Sequence, residues 1–348
     1  MLATMTFTYI FEAMDFSVII PVYNGADFIV KAYESIVKQN IEDFEILFVD
    51  NNSTDNSMEK IKEVQETDTR VKLFEQKVQG AAAARNKGLE HAKGEYVYMF
   101  DVDDQIFPNA LKKLKSILDE HPKIDAVFGK MKKLHKNTAA LEKPEDDTRE
   151  IIIKEKPYWG LQWLSDLRTV VGPPAFLYRR RVFDTIGSYN ISLQTGEDTA
   201  LDIKLGMLCN VAFIDLYIYV YYKHEQSSIQ VVKKNKDRVF MQWPRYVKSH
   251  LPFYRNHEVP YEFKRILFKT IFVSIGRMLN LTNGIQERRK LKKQLFQDIK
   301  TVKTSFLIRL YLEILVLFNF SYVFKFYIYY WVPALLPSII KKNDRSLK

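Results

Sequence analysis

Tyr96-Val97-Tyr98-Met99-Phe100-Asp101-Val102-Asp103-Asp104 is the stretch on which the reading of this chain turns. Its first five residues suit a strand covered on both faces, because β-branched and aromatic side chains fill a buried, pleated surface. Three carboxylates then fall within four positions, and crowded carboxylates repel one another unless a cation compensates them. Two readings compete: a solvated turn capping the next helix through Asp104 or Asn109, and a cation site. In an extended chain residues two apart share a face, so Asp101 and Asp103 are expected to converge and Asp104 to point away.

Upstream, Phe16 to Tyr23 reads as a buried strand stopped by Pro21, with Asn24-Gly25 as the following turn. Apolar residues at helical spacing occupy 26–40. Phe44 to Val49, ending in Asp50, is a second strand, followed by the cap-rich loop Asn51-Asn52-Ser53-Thr54-Asp55 and a helix to about Gln65. Val71 to Phe74 is a third strand, and Gly80 to Gly88 opens another helix. Strands alternating with helices in this way indicate a parallel sheet of βαβ units, whose ligands bind outside the carboxyl ends of the strands. Tyr23, Asn24, Asp50, Asp101 and Asp103 all fall at those ends. Downstream, a helix is expected at 109–119, a strand at 125–129, a charged surface excursion at 131–156 and a short strand with a basic turn within 173–181. Glu197-Asp198 then places two acids in the first turn of a helix, which favours its dipole. Two further strands are expected at 211–214 and 216–222.

At 348 residues the chain can hold one large α/β domain and an accessory region. Its single cysteine, Cys209, excludes an internal disulfide and a thiolate metal site, which suits a reducing cytoplasm. The net charge of +10 is divided: residues 1–225 carry 28 Lys/Arg against 35 Asp/Glu, and residues 226–348 carry 24 against 7. An acidic first part argues against nucleic acid in its cleft, which would need clustered cations there. Residues 1–13 are apolar but lack the positive start and small-residue cleavage site of a signal peptide. We therefore expect 1–15 as an N-terminal extension, 16–228 as an α/β domain and 229–348 as a basic helical C-terminal region.

That last region combines an amphipathic helix at 262–280, a break at Asn283-Gly284 and a basic helix over roughly 285–303. Eleven aromatics follow within 306–331, and 306–340 holds only Arg309, Glu313 and Lys325 as charges. Clusters such as Arg288-Arg289-Lys290 and Lys292-Lys293 beside an aromatic run fit interfacial anchoring on an anionic membrane. Lys325, Pro333 and Pro337 interrupt the run, which argues against a full span of about 20 apolar residues. The alternative is packing against the catalytic domain or a second subunit.

No G-x-G-x-x-G follows the first strand and no G-x-x-x-x-G-K-[ST] occurs, which argues against a Rossmann dehydrogenase and a P-loop enzyme. Carboxylates can instead hold a nucleotide diphosphate through Mg²⁺ or Mn²⁺, which completes its shell with phosphate oxygens. At this point the residues resemble a known family. Ser17 to Asn24, Val49 to Asp55, Ala84 to Gly88, Asp101-Val102-Asp103-Asp104, Glu197-Asp198 and Tyr222 to Ser227 occur in the order of the family-2 glycosyltransferases, covering about residues 16–230.

The resemblance implies a GT-A fold, that is, a mixed, mostly parallel α/β sheet flanked by helices, here with a helical C-terminal extension. It also implies a nucleotide-sugar donor, usually UDP-linked, a divalent cation (Mn²⁺ or Mg²⁺) and inversion at the anomeric carbon. By the same resemblance, Pro21, Tyr23 and Asp50 contact the uracil and ribose, and Arg85 the base or phosphates. Asp101 lies by the ribose, Asp103 binds the metal and His224 reaches the metal or diphosphate. Asp198 is the general base, and Glu197 positions the acceptor or supports the base. The function expected is transfer to a glycan or lipid-linked acceptor in surface polysaccharide synthesis, peripherally on the cytoplasmic face of the membrane. Transfer to a polyprenyl phosphate and a non-catalytic sugar-nucleotide-binding or assembly role are the alternatives.

Overall fold

The computed structural model describes residues 14–135, 150–223, 237–318 and 320–347. Its contacts divide the chain into two units: Met1–Glu155, Val171–Ser188 and Cys209–Lys223 form the first, and Lys156–Val170, Tyr189–Leu208 and His224–Lys348 the second. The units do not follow chain order, since 156–170 and 189–208 cluster with the C-terminal residues.

The first unit contains β1 (Phe16–Val22), α1 (Ala26–Val37), β2 (Phe44–Asp50), α2 (Ser57–Thr67), β3 (Val71–Glu75), α3 (Ala81–His91), β4 (Tyr96–Met99), β5 (Gln105–Ile106), α4 (Ala110–Glu120), β6 (Ala126–His135), β7 (Ile151–Lys154), β8 (Phe176–Arg179) and β9 (Val211–Lys223). The sheet order is β3-β2-β1-β4-β8-β6-β9-β5, with β7 also on β9. β3, β2, β1 and β4 are mutually parallel, as the βαβ pattern requires. β8 runs antiparallel to β4 and β6, whereas β6 and β9 are parallel, so the sheet is mixed beyond β4.

Every residue of β1 except Pro21 is buried, and all of β2 and β4 are. Their apolar side chains pack against Ile29, Ala32 and Ile36 of α1 and Leu111, Leu114 and Ile117 of α4. α3 runs so close to β1 that a Cβ on Gly88 would stand 2.3 Å from Ile19 Cγ2. Glu45, fully buried in β2, accepts from the Ser17 hydroxyl (2.7 Å), the Lys72 ammonium (2.6 Å) and the Lys93 amide (2.8 Å). Burial opposes its charge, but these donors hold its carboxyl below the ordinary value.

Three expectations change here. Residues 131–135 and 151–154 belong to β6 and β7, while 136–149 of the charged excursion lie outside the described residues. The two strands expected at 211–214 and 216–222 are one, because exposed Asp215 pairs with Lys130 on the outer surface and the strand need not break. The aspartate stretch is extended only to Met99; the Asp104 amide donates to the Asp101 carbonyl (3.0 Å), closing a turn. The alternation argument for Asp101 and Asp103 therefore does not apply.

In the second unit the helices Tyr158–Ser165 and Glu197–Leu208 touch through glycines: a Cβ on Gly206 would lie 2.3 Å from the Gly160 nitrogen. The helix Tyr261–Leu281 buries Leu267, Phe268, Ile271, Phe272 and Ile275. The helix Val332–Arg345 packs on it and buries Val332, Leu336, Ile339 and Ile340. Between them Tyr327 lies against Gly276 and donates its hydroxyl to the Phe272 carbonyl (3.1 Å).

The helical run Ser321–Arg345 is unbroken, contrary to the interruption expected at Pro333 and Pro337. Pro333 follows the π-helical turn Tyr327–Trp331, where the regular hydrogen-bond ladder is already displaced. By length and composition this run is long and apolar enough to cross a membrane, with a mean hydropathy of 1.3 and 28% of that window buried. The basic helix is Ile285–Asp298, shorter than expected. Arg288 is buried and donates to the Val316 and Thr282 carbonyls (2.8 and 3.2 Å), and Lys292 pairs with Glu313, so two expected surface cations have internal partners. Arg289, Lys290, Lys293 and Lys300 are exposed.

Candidate active site

The carboxyl ends of β1, β2 and β4 lie side by side, with Val22 paired to Asp50 across the sheet. The loop after β2 builds the floor of this edge. The Asn51 amide donates to the Val22 carbonyl (2.8 Å); its side chain donates to the Gln76 and Val78 carbonyls and accepts from the Gly80 amide (2.6 Å). Asn24, in the left-handed region at φ 50°, accepts from the Thr54 amide (2.7 Å). The Gly25 amide donates to Ser57 Oγ (2.9 Å) and the Ala26 amide to Asp55 (3.2 Å). The stretch that looked rich in helix caps thus clamps the turn after β1.

This clamp leaves Tyr23 56% exposed while Asp50 is buried. Asp50 Oδ2 accepts from the Ser53 amide (3.2 Å), but Oδ1 is buried with no hydrogen-bond partner among the described residues. A buried acceptor left orphaned is costly and calls for a donor from outside the protein.

Arg85 of α3 is buried and pairs with Asp101 (Nη2 to Oδ1, 2.7 Å). An isolated surface charge would be exposed, so the helix start serves the sheet edge. Asp104 does not face away into solvent; it is buried, and its carboxylate accepts from the Tyr222 amide. Burial first, then the charges of Asp101 and Asp103, push its carboxyl well above the ordinary range. Asn109 precedes α4 but does not cap it; its Oδ1 accepts from Asn40 (2.6 Å) instead.

Among the described residues no group of three or more His, Cys, Asp or Glu is arranged to hold a metal ion. The oxygen-only donors Asp101 and Asp103 still fit Mg²⁺ or Mn²⁺, which takes one or two carboxylates and fills its shell from phosphates. His224 lies outside the described residues.

Glu197 and Asp198 open a helix of the second unit, half-buried, after Gly196 at φ 73°. Asp198 Oδ1 accepts from the Thr199 amide (2.6 Å) and its hydroxyl (3.3 Å), which fixes the carboxylate at the helix start. The structure thus gathers Pro21, Tyr23, Asp50, Arg85, Asp101 and Asp103 on one sheet edge and holds Glu197 and Asp198 in the other unit. Sequence reading missed Asn51 and Ser57 as organisers and the burial of Asp104. The polar density of 51–57 was the available signal for the first two.

The mixed sheet with flanking helices is that of a GT-A fold. The family described as glycosyl transferase family 2 matches residues 17–187 of the chain. Glycosyltransferase GlyG of Streptococcus pneumoniae serotype 4 is 39% identical over 114 residues, which is 32% of this chain and 38% of GlyG. The matched segment therefore spans under half of that relative. The crystal structure of S. aureus TarS 1-349 with UDP-GlcNAc has a TM-score of 0.59 at 20% identity, covering 96% of this chain and 89% of that one. The mannosyltransferase PcManGT of Pyrobaculum calidifontis, in complex with GDP-Man and Mn²⁺, has a TM-score of 0.50 at 16% identity, covering 94% and 86%. At such identities the structural likenesses establish the fold alone.

Proposed function

We propose that this protein is an inverting glycosyltransferase that moves a sugar from a UDP-linked donor to a hydroxyl of a glycan or lipid-linked acceptor in surface polysaccharide synthesis. The observation that carries the reading is the sheet edge, where exposed Tyr23 adjoins the orphaned Asp50 Oδ1 and the Arg85–Asp101 pair. Pro21 and Tyr23 flank the uracil, Asp50 accepts its N–H, Asp101 meets the ribose, and Arg85 orients Asp101 and balances charge near the phosphates. Asp103, with His224, would hold Mn²⁺ or Mg²⁺; when bound, the cation supplies charge neutralisation at the departing diphosphate. TarS in complex with UDP-GlcNAc and PcManGT in complex with GDP-Man and Mn²⁺ support a nucleotide-sugar donor and a divalent cation.

Asp198 takes the proton from the attacking hydroxyl, an effect of about 10²–10⁴-fold for a well-placed base, and Glu197 supports it. UDP release should be measured with a panel of nucleotide sugars and acceptors. Asp198→Asn is expected to lose transfer by about 10²-fold or more while binding donor normally; near-normal transfer would remove Asp198 from its role. Asp103→Ala is expected to abolish metal-stimulated turnover, and full activity in excess chelator would refute the cation.

We further propose that the protein works at the cytoplasmic face of a membrane. Phe306, Phe320, Tyr322, Tyr329 and Tyr330 are each more than 60% exposed, and Arg289, Lys290, Lys293 and Lys300 are exposed nearby in sequence. Aromatic rings and cations in one region suit anionic headgroups.

A further inference from the structure

The helix Phe306–Leu317, in the second unit, is apolar on nearly every side. Ile308, Leu312, Leu315 and Val316 are buried, whereas Phe306, Leu307, Leu310 and Leu317 are exposed. A helix apolar all round belongs inside a core or in lipid, and this one is covered on one side only. Tyr311 joins it to the run Ser321–Arg345. The Tyr311 ring stands 6.3 Å from that of Phe326 and 5.4 Å from Trp331, and its hydroxyl donates to the Val323 carbonyl (3.2 Å).

The run Ser321–Arg345 has two unlike sides. Its exposed side carries Tyr322, Phe326, Tyr329 and Tyr330 near the start and Lys341, Lys342 and Arg345 at the end. On the other side Tyr327, Val332, Leu336, Ile339 and Ile340 are buried, and this side packs on the helix Tyr261–Leu281. Polar bonds that lipid cannot replace also tie it down. Asn343 exchanges two hydrogen bonds with the Lys303 backbone (2.8 and 2.9 Å). Asp344 accepts from the Tyr254 hydroxyl and the Lys264 ammonium (both 2.9 Å). Crossing a bilayer would strip these groups of their partners in hydrocarbon, so length and hydropathy alone do not make this helix a span.

Charge decides what covers the exposed side. Arg309, Lys325, Lys341, Lys342 and Arg345 stand there against Glu313, which already pairs with Lys292. A second copy of the chain would bring cation against cation. An anionic leaflet supplies headgroups for the cations and an acyl boundary for the rings, and Lys325 can reach the headgroups along its stem.

We propose that the run Ser321–Arg345 lies in the plane of one anionic leaflet without crossing it, with Phe306, Leu310, Tyr322, Phe326 and Tyr330 entering the headgroup–acyl boundary. Residues 322 and 341 are roughly 25–30 Å apart along the helix, so the aromatic and basic ends engage one surface only in that orientation. This placement rests on the membrane reading above and adds its face and its depth.

The test uses the full chain on vesicles of phosphatidylglycerol and phosphatidylcholine. Cys209 is buried, so one introduced cysteine takes an environment-sensitive dye. Leu310→Cys, Tyr322→Cys and Ala334→Cys carry it in turn, with Glu63→Cys of the first unit as the aqueous control. The dye at 310, 322 and 334 is expected to shift to the blue on vesicles, and the dye at 63 to stay unchanged. A nitroxide near the lipid headgroup should quench the dye at 334 more than one near the chain end. Leu310→Ser, Tyr322→Ser and Tyr330→Ser combined should weaken vesicle partitioning by about tenfold or more at unchanged Tm.

Stronger quenching at 334 from the chain end marks a span and overturns the proposal. Vesicle binding without a shift at 310 and 322 also overturns it, and leaves the membrane reading standing on the cations. A wild type that ignores the vesicles sinks both. A clear fall in Tm of the triple serine variant, or a wild-type dimer in sedimentation that this variant abolishes, makes the face a protein interface and overturns the proposal as well.

Discussion

Asp50 is a side chain that the described residues satisfy only in part. One of its oxygens is used by Ser53 and the other is buried and idle. Asp50→Asn is expected to leave Tm unchanged or higher and to weaken UDP by about tenfold, read by calorimetric titration. Asp68 is the opposite case, a carboxylate fully used within the fold. The Arg70 guanidinium first, with Tyr33 adding a hydrogen bond, holds its carboxyl at about 2, against burial. A depressed folded value gives stability that is complete above the ordinary carboxylate pKa of about 4 and is lost as pH falls through about 2. Asp68→Asn should therefore lower stability at neutral pH and flatten the acid limb of an unfolding profile followed by circular dichroism. Asp50 and Asp101 were legible because their chain positions put them at strand ends. The burial of Arg288 was not, because nothing in Arg288-Arg289-Lys290 distinguishes a buried cation from a solvated one.

At the scale of elements, close approach decides more than hydrophobic pattern. The helix bearing Glu197 and Asp198 is set by its glycine contact with Tyr158–Ser165, where a Cβ on Gly206 meets backbone at 2.3 Å. Gly206→Ala should cost about 1–3 kcal/mol in chemical denaturation and lower transfer by tilting the acidic first turn. Equal stability would show that the helices part without penalty. The run Tyr96 to Phe100 announced its strand by composition, but the turn at Asp101–Asp104 depends on a backbone hydrogen bond that no periodicity encodes. The continuity of β9 through Asp215 likewise depends on a partner brought from elsewhere in the chain.

For the whole molecule the charge division is the guiding fact, since the +10 net charge arises wholly from residues 226–348. Deleting 306–348 is a poor probe, because Ile339, Ile340 and Tyr327 are buried and pack on the helix Tyr261–Leu281. Surface substitutions separate anchoring from folding. Arg289, Lys290, Lys293 and Lys300 changed to Glu should abolish flotation with acidic liposomes at unchanged Tm, and raised salt should weaken wild-type binding, as screening requires. Wild-type protein that ignores acidic lipid at low salt would refute the membrane reading.

By itself the sequence determined the βαβ order, the polar strand ends, the family resemblance and the division of charge, because each depends only on which residues neighbour one another along the chain. Tertiary structure alone decided that Asp50 keeps an orphaned oxygen, that Arg85 meets Asp101, that Asp104 is buried and that Arg288 and Lys292 have internal partners. Burial and pairing are relations between residues far apart in the chain. A carboxylate or guanidinium has the same letter whether water, a neighbour or an absent ligand completes it.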